Sequence, residues 1–207
     1  MILNIHGFKG EGNNSKYRWL CENVPHHEIY SPTFYYMDEN PQDILEHLVN
    51  KVSSYRIENP SNHMNVYVVG SSFGGFFARL INQIFPDVTA LLINPSLAPF
   101  LTLREHLGPK CQLYLDLLAK YAYKDEYGEQ ERLHVIIGDS DELIDHEKLT
   151  KPLLPLRFKN LYTIRDGTHQ LDMNLEAGSI LKSVIQSPKG VTDGDRPVHH
   201  CGERKLP

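Results

Sequence analysis

The sequence lacks the features that mark membrane, secreted and nucleic-acid-binding proteins. No apolar run approaches the ~18 residues of a membrane-spanning helix, and the amino terminus, MILNIHGFKG, has no basic segment like that of a secretory signal. Basic residues are not in excess either, since 21 Lys and Arg against 26 Asp and Glu leave a formal net charge of -5. We therefore expect no membrane span, no export, and neither nucleic acid nor an anionic membrane as a partner.

Cysteine is scarce as well. The three cysteines, Cys21, Cys111 and Cys201, are an odd number, lie far apart and lack the paired spacings of zinc and redox sites. We expect a cytoplasmic protein without a structural metal site. The length of 207 residues, 41% of them hydrophobic, is enough for one core and predicts a single domain.

Periodicity is missing from the tail 187–207. This segment is rich in proline, glycine and charge, so it cannot bury enough surface to order itself, and we expect a flexible extension after a domain of residues 1–186. His199, His200 and Cys201 could bind a metal in principle, but such tail clusters seldom complete a tetrahedral shell. We therefore expect no metal site in the tail.

Short apolar runs alternate with helical patterns through the first 186 residues. The runs are typical of strands buried in a parallel sheet, and they occupy 2–5, 66–69, 90–93, 133–137 and 161–164. The helical patterns occupy 15–22, 41–54, 74–84, 111–121 and 173–186. This alternation predicts an α/β fold with a mostly parallel, doubly wound sheet and helices on both faces. Ligands of such sheets bind at the carboxyl ends of the strands.

One connection is longer than usual. Residues 94–131 contain NPSLAPF followed by a single helical pattern, and the length of the segment predicts a small cap over the sheet edge where ligands enter.

A glycine-lined turn follows the second of these runs. Residues 70–74, GSSFG, fit the pattern G-x-S-x-G, in which the middle serine sits on a sharp turn between strand and helix. Ser72 is therefore the candidate nucleophile, and the backbone N–H of Phe73 points toward the place where an oxyanion would form. Because the motif also occurs by chance, a plain glycine-rich turn is the alternative.

Two loops farther along the chain supply the other groups that a nucleophilic serine needs. His169 follows the run 161–164 and is the candidate base, although a loop histidine is often a surface residue. The candidate acid is Asp141, three residues beyond Gly138. Three further carboxylates remain open as alternatives for the acid: Asp139, Glu142 and Asp145.

The loop after the first run can complete an oxyanion hole. His6-Gly7-Phe8 directly follows residues 2–5, and we assign the second oxyanion donor to the backbone N–H of Phe8. His6 precedes the serine in the chain, so we interpret it as a structural hydrogen-bonding residue rather than as the base.

Apolar residues near these loops offer surface for an acyl chain. The candidates for substrate binding are Phe76, Pro95, Leu97 and Phe100. The alternative is that most of them, Phe76 and its neighbour Phe77 above all, simply pack in the core.

Five segments in this order, LNIHGFKG, VVGSSFGGFFARL, LLINPSLAPF, IGDSDELID and DGTH, resemble the YqiA/YcfP-type small bacterial serine esterases of the α/β-hydrolase superfamily. The resemblance extends nearly to residue 186 and implies a reduced hydrolase fold that begins at the strand bearing the oxyanion loop. It implies hydrolysis of esters or thioesters, with acyl-CoA and short artificial esters among the family's substrates. On this sequence it implies Ser72 as nucleophile, Asp141 as acid and His169 as base.

The prediction for function is therefore a serine hydrolase that acts on a small-molecule acyl ester or thioester through an acyl-enzyme, with no cofactor. Two alternatives remain open. The same residues could transfer the acyl group to an acceptor other than water, or the fold could serve as a non-catalytic binding protein.

Overall fold

The structure is a computed structural model that describes residues 1–62, 65–121, 129–154 and 158–187. The predictions for residues 188–207, including those for His199, His200 and Cys201, lie outside the described residues. So does the part of the predicted cap that spans residues 122–128.

Six parallel strands form one sheet in the order β2-β1-β3-β4-β5-β6. The strands are β1 Ile2–Ile5, β2 Ile29–Tyr30, β3 Tyr67–Ser71, β4 Thr89–Ile93, β5 Leu133–Gly138 and β6 Leu161–Ile164. The predicted α/β class with a parallel sheet is confirmed. The strand order reverses between β1 and β3, and the crevice at the carboxyl ends of such strands is where ligands of open α/β sheets bind.

Eight α-helices connect the strands and flank the sheet in the described part of the chain. They are α1 Ser15–Asn23, α2 Pro41–Glu58, α3 Gly74–Ile84, α4 Pro99–Thr102, α5 Arg104–Leu107, α6 Cys111–Tyr121, α7 His146–Leu149 and α8 Glu176–Gln186. Short 3-10 turns occupy Pro60–Asn62, Gly108–Lys110, Glu129–Arg132 and Lys151–Leu153.

Helix ends follow the local chemistry of the sequence. The Asn40 side chain accepts a hydrogen bond from the Gln42 amide, and Pro41 fits the first turn of α2. Helix α8 begins later than the predicted residue 173, because the Asp172 carboxylate accepts the Asn174 amide and holds a turn there.

Side chains of the central strands alternate between two hydrophobic layers. Val68 and Leu92 pack on the face covered by α2, α3 and α6. Val69 and Leu91 pack on the opposite face, against α1 and α8. The alternation follows from the two-residue period of a strand, and it confirms the prediction of helices on both faces.

The segment predicted as a cap divides into two parts in the structure. Helix α6 packs against α2 and α3 through Tyr114 and Leu117, so it belongs to the helix layer on that face of the sheet. Helices α4 and α5 lie nearer the carboxyl ends of the strands, where the His106 ring is 5.1 Å from that of Phe8. No described helix is both long and apolar enough to cross a membrane.

Candidate active site

The turn after β3 holds Ser72 in a backbone conformation that most residues avoid. Its φ is 51°, in the left-handed region. Three backbone hydrogen bonds hold it there: the Ser72 amide donates to the Ile93 carbonyl at 2.9 Å, while its carbonyl accepts from Gly75 at 3.0 Å and Ser96 at 2.9 Å. The partly exposed serine is thus fixed between β3, β4 and the start of α3.

Two glycines of the motif are required by close approach of the backbone. A Cβ on Gly70 would lie 2.5 Å from the Gly74 carbonyl oxygen, and a Cβ on Gly74 would lie 2.2 Å from that of Ile5. Both distances are well below van der Waals contact, so only glycine lets α3 start this close to β1 and β3.

His169 lies between Ser72 and Asp141. Its Nε2 is 3.0 Å from Ser72 Oγ, and its Nδ1 is 2.9 Å and 3.0 Å from the two oxygens of Asp141. The histidine is only 7% exposed, so water competes little for these hydrogen bonds. The structure therefore brings together the three residues predicted as nucleophile, base and acid.

The Asp141 carboxylate is held in its ionised form. Burial raises its pKa, but hydrogen bonds from His169 and from the amides of Leu143 and Ile144 outweigh burial, and the net pKa is lower than usual. Both amides donate to Oδ1 at 2.9 Å. The loop is therefore built around a negative charge that faces the imidazole.

The other three carboxylates have different partners. Glu142 Oε2 accepts the backbone N–H of His169 at 3.0 Å, so it holds the loop rather than the ring. Asp145 caps α7 and pairs with Lys148 at 2.6 Å. Asp139 accepts only the Ser140 hydroxyl among the described residues. Of the four acids that the sequence left open, Asp141 alone contacts the His169 ring.

Of the two predicted oxyanion donors, Phe73 directly follows Ser72 in the chain, and Phe8 follows Gly7, which lies close to Ser72. Neither the Phe8 amide nor the Phe73 amide donates a hydrogen bond to any described residue. Their rings pack edge to face, with centroids 6.2 Å apart, and a Cβ on Gly7 would lie 3.1 Å from Ser72 Cβ. Phe73 is buried and Phe8 is partly exposed. Because a buried amide without a partner is uncommon, the Phe73 N–H is available to an anion bound beside Ser72.

His6 is fully engaged by the backbone, as its predicted structural role requires. Its Nε2 accepts the Phe34 amide at 2.9 Å, and its Nδ1 donates to the Gly7 carbonyl at 2.8 Å. One nitrogen must therefore carry a proton and the other must not, which defines a neutral ring. Burial lowers the pKa of His6 and so favours that neutral form.

The predicted substrate-binding residues are mostly buried. Phe76 is 1% exposed and packs against Phe77 and Tyr114, which matches the alternative of core packing. Leu97 and Pro95 are also buried, whereas Phe100 is partly exposed. Phe100 is thus the only member of this predicted set that presents appreciable surface.

Two polar residues that the sequence analysis missed connect the loops. Asn94 Nδ2 donates to the carbonyls of Thr168 and His169 at 2.9 Å and 3.0 Å, and its Oδ1 accepts the Gly138 amide at 2.7 Å. His146 Nε2 lies 2.9 Å from Asp141 Oδ2. The only sequence signal for Asn94 is its place at the end of a buried strand, and His146 has none.

No group of three or more His, Cys, Asp or Glu side chains in the described ranges is placed to hold a metal ion.

The sequence also matches a known family. The profile described as "Uncharacterised protein family (UPF0227)" matches residues 1–177. A UPF0227 protein of Pectobacterium atrosepticum is 24% identical over 161 residues, which cover 74% of this chain and 82% of that protein.

Solved structures share the fold at low identity. A Xanthomonas campestris pv. campestris protein assigned to the α/β-hydrolase superfamily has a TM-score of 0.61 at 17% identity, covering 89% of this chain and 97% of that one. The capsule O-acetyltransferase of Neisseria meningitidis serogroup A has a TM-score of 0.59 at 14% identity, covering 90% and 87%. The fold is therefore that of the α/β hydrolases.

Proposed function

This chain belongs to the UPF0227 family, and from the geometry of its site we propose that it is a serine hydrolase that cleaves carboxylic ester or thioester bonds. One observation carries the proposal. A continuous chain of hydrogen bonds runs from Ser72 Oγ through His169, at 3.0 Å, to Asp141, at 2.9 Å. The three groups are in the order Ser, Asp, His along the chain, and each follows a strand, as in α/β hydrolases.

The first half of the reaction forms an acyl-enzyme. His169 Nε2 takes the proton of Ser72 Oγ as the oxygen attacks the carbonyl carbon of the substrate, and the amides of Phe8 and Phe73 donate to the oxyanion. The tetrahedral intermediate then collapses, the bond to the leaving oxygen or sulfur breaks, and His169 returns the proton to that atom. The acyl group stays on Ser72 as an ester.

The second half returns the enzyme to its starting state. His169 takes a proton from water as the water oxygen attacks the acyl carbon, and the proton then passes to Ser72 Oγ when the acyl bond breaks. The product is a free carboxylic acid. Every step uses groups of the chain and water, so neither a metal ion nor an organic cofactor enters the proposed reaction.

Electrostatics support these roles. The ionised Asp141 keeps the proton of the neutral imidazole on Nδ1, so the lone pair of Nε2 faces Ser72. Ser72 also lies two residues before α3, whose amino-terminal end carries partial positive charge. Both features favour the negative charge that develops near Ser72 during attack.

The finer parts of the proposal rest on the sequence. We assign the catalytic unit to residues 1–186 and place the protein in the cytoplasm, where the unpaired Cys21 and Cys111 would stay reduced. The substrate we propose is a small acyl ester or thioester.

A fluorophosphonate probe tests the nucleophile directly. Wild-type protein should become labelled at Ser72, and Ser72→Ala should not be labelled. Ser71→Ala is the matched control, because it removes the neighbouring hydroxyl and should leave labelling intact. Absence of labelling in wild-type protein would favour a non-catalytic binding protein.

Acyl transfer is the second candidate function, favoured by the fold shared with an O-acetyltransferase. The acyl-enzyme is common to both reactions, and only the acceptor differs. Turnover of an activated ester with added alcohols or amines separates them. Release of free acid alone supports hydrolysis, whereas dominant formation of the new ester or amide supports transfer.

A further inference from the structure

The Asp141 carboxylate has a second imidazole partner besides His169. His146 Nε2 lies 2.9 Å from Asp141 Oδ2, the same oxygen that His169 Nδ1 approaches at 2.9 Å. The side chains of His146 and Asp141 are 5% and 1% exposed. At this burial the contact is shielded from water, so it bears on the charge that Asp141 presents to His169.

A threonine holds the other side of the His146 ring. His146 Nδ1 lies 2.8 Å from Thr150 Oγ1, one helical turn farther along, and Thr150 Oγ1 lies 3.1 Å from the carbonyl oxygen of Pro95. Thr150 has no exposed surface. A line of buried polar groups thus leads from Asp141 to the segment that follows β4.

The hydrogen positions in this line follow from the acceptors. Burial lowers the pKa of His146 more than Asp141 raises it, so the ring is neutral at neutral pH and carries one N–H. Because an ionised carboxylate only accepts, that N–H is on Nε2. Nδ1 is then an acceptor for the Thr150 hydroxyl, whose hydrogen otherwise goes to Pro95. Asp141 therefore selects the His146 tautomer, as it selects that of His169, and Thr150 contacts the ring nitrogen that carries no proton.

We propose that His146 is a positioning residue of the triad, which fixes the Asp141 carboxylate and draws part of its negative charge away from His169. The proposal rests on the proposed function. Without the His146 donor, His169 is the remaining hydrogen-bond partner of Asp141 Oδ2 among the described residues, and the full charge of the carboxylate acts on the His169 ring. Protonated His169 is then stabilised, so activity begins to fall at a higher pH when the solution is acidified.

Other charged groups surround the two rings and stay unchanged in the variants below. Glu142 accepts the His169 amide, and Asp145 caps the helix that bears His146. The titratable groups near the pair, on the acid loop, on α7 and on the turn after it, are Asp139, Asp141, Glu142, Asp145, Glu147, Lys148 and Lys151. Among these groups, Asp141 is the one that His146 hydrogen-bonds, so replacing His146 removes that hydrogen bond and leaves the other charged groups in place.

His146→Leu and His146→Gln form a matched pair. Leucine removes the donor but keeps an apolar side chain, whereas the Gln Nε2 amide can donate from nearly the same place. For His146→Leu we expect a kcat about tenfold lower, KM within about twofold of wild type, and an acidic limb of kcat/KM shifted upward by about 0.5 to 1 pH unit. His146→Gln should restore both kcat and the limb to near wild type.

A second pair of variants tests the proposal if His146→Leu does not fold. Thr150→Val removes the hydroxyl that contacts Nδ1 of His146, and Thr150→Ser keeps it. Only valine should shift the acidic limb upward. An NMR titration of the His169 ring gives the same comparison without turnover, and its midpoint should rise in His146→Leu and Thr150→Val.

The outcomes separate the two proposals. If wild-type protein neither hydrolyses esters nor reacts with fluorophosphonate, the proposed function fails, while the NMR titration still tests the His146 hydrogen bond. If wild-type protein is active and His146→Leu or Thr150→Val leaves kcat, the acidic limb and the His169 midpoint unchanged, the role of His146 is contradicted and the serine hydrolase stands.

Discussion

The two halves of the candidate site are held by different forces. The Ser72 turn is held by backbone hydrogen bonds and by the close approach of Gly74 to β1. The loops that carry Asp141 and His169 are held instead by side chains, chiefly those of Asp141 and Asn94. These side chains bind backbone amides and, in the case of Asp141, the His169 ring. The first half depends on backbone hydrogen bonds and steric fit, and the second depends on the charges and hydrogen bonds of side chains.

The two halves should therefore respond differently to substitution. Adding atoms to the turn creates steric overlap and lowers the stability of the whole fold. Removing a polar side chain from the loops leaves buried donors or acceptors unpaired, which costs stability and also displaces the catalytic groups. Substitutions can therefore separate the two halves by whether folding or activity responds first.

The largest effects are expected where the halves meet. Ser72→Ala and His169→Ala should each lower kcat by at least ~10³ without unfolding the protein, because each removes a reacting group. Steady-state kinetics together with circular dichroism check this. Near-normal turnover in either variant would contradict the assignment.

The carboxylates of the loop that carries Asp141 should differ sharply in how much their substitution lowers kcat. Asp141→Asn should lower kcat by at least ~10², because it removes the charge that orients the imidazole. Asp139→Asn and Asp145→Asn are matched controls on the same loop and should remain within about threefold of wild type. A mild effect at Asp141, or a severe one at either control, would overturn the choice of acid.

Substitution in the turn should affect stability first. Gly74→Ala places a Cβ 2.2 Å from the Ile5 carbonyl oxygen, and we expect a loss of about 3 kcal/mol in the free energy of unfolding. Gly10→Ala is the control, because the nearest atom to its Cβ is 3.1 Å away, and it should cost less than about 1 kcal/mol. Denaturant titration measures both. Equal losses would contradict the steric account.

Removing the side-chain amide of Asn94 should lower both the stability of the fold and kcat. Asn94→Ala leaves the Gly138 amide and two carbonyls without their partner, so we expect about 2 kcal/mol lower stability and about tenfold lower kcat. Asn94→Asp keeps the acceptor for Gly138 but turns a buried carboxylate oxygen toward the two carbonyls, so it should lose at least as much stability as Asn94→Ala. Unchanged kcat in Asn94→Ala would show that the loops hold their positions without it.

The smallest effect on stability is expected in the core beneath the Ser72 turn. Tyr114 packs against Phe73 and Phe76, and its buried hydroxyl has no partner among the described residues. Tyr114→Phe should therefore leave stability unchanged or raise it by up to about 1 kcal/mol, since the ring provides the packing. A clear loss of stability would reveal a hydrogen bond that supports the turn.

The same contrast explains how much of the structure could be predicted from the sequence. Apolar runs placed β1 and β6 at their observed bounds, and the glycine motif located Ser72, because both depend on short stretches of chain. Strand β2 has two residues, too few to form a recognisable run, and was missed. Helix α6 was placed correctly, but its packing on α2 and α3 depends on contacts far apart in the chain.

The side-chain network was less accessible to prediction. Four carboxylates near residue 141 were candidates for the acid, and only the fold distinguishes the one that meets His169 from the one that caps a helix. Asn94 and His146 were missed because their partners are brought together only by the fold.

The rate of fluorophosphonate labelling between pH 5 and 8 tests the central claim most directly. If His169 activates Ser72, labelling at Ser72 should slow as the pH falls and His169 takes up a proton. His169→Ala should label at least ~10²-fold more slowly than wild type at pH 8. A flat profile over this range, or labelling at a residue other than Ser72, would contradict the proposed triad.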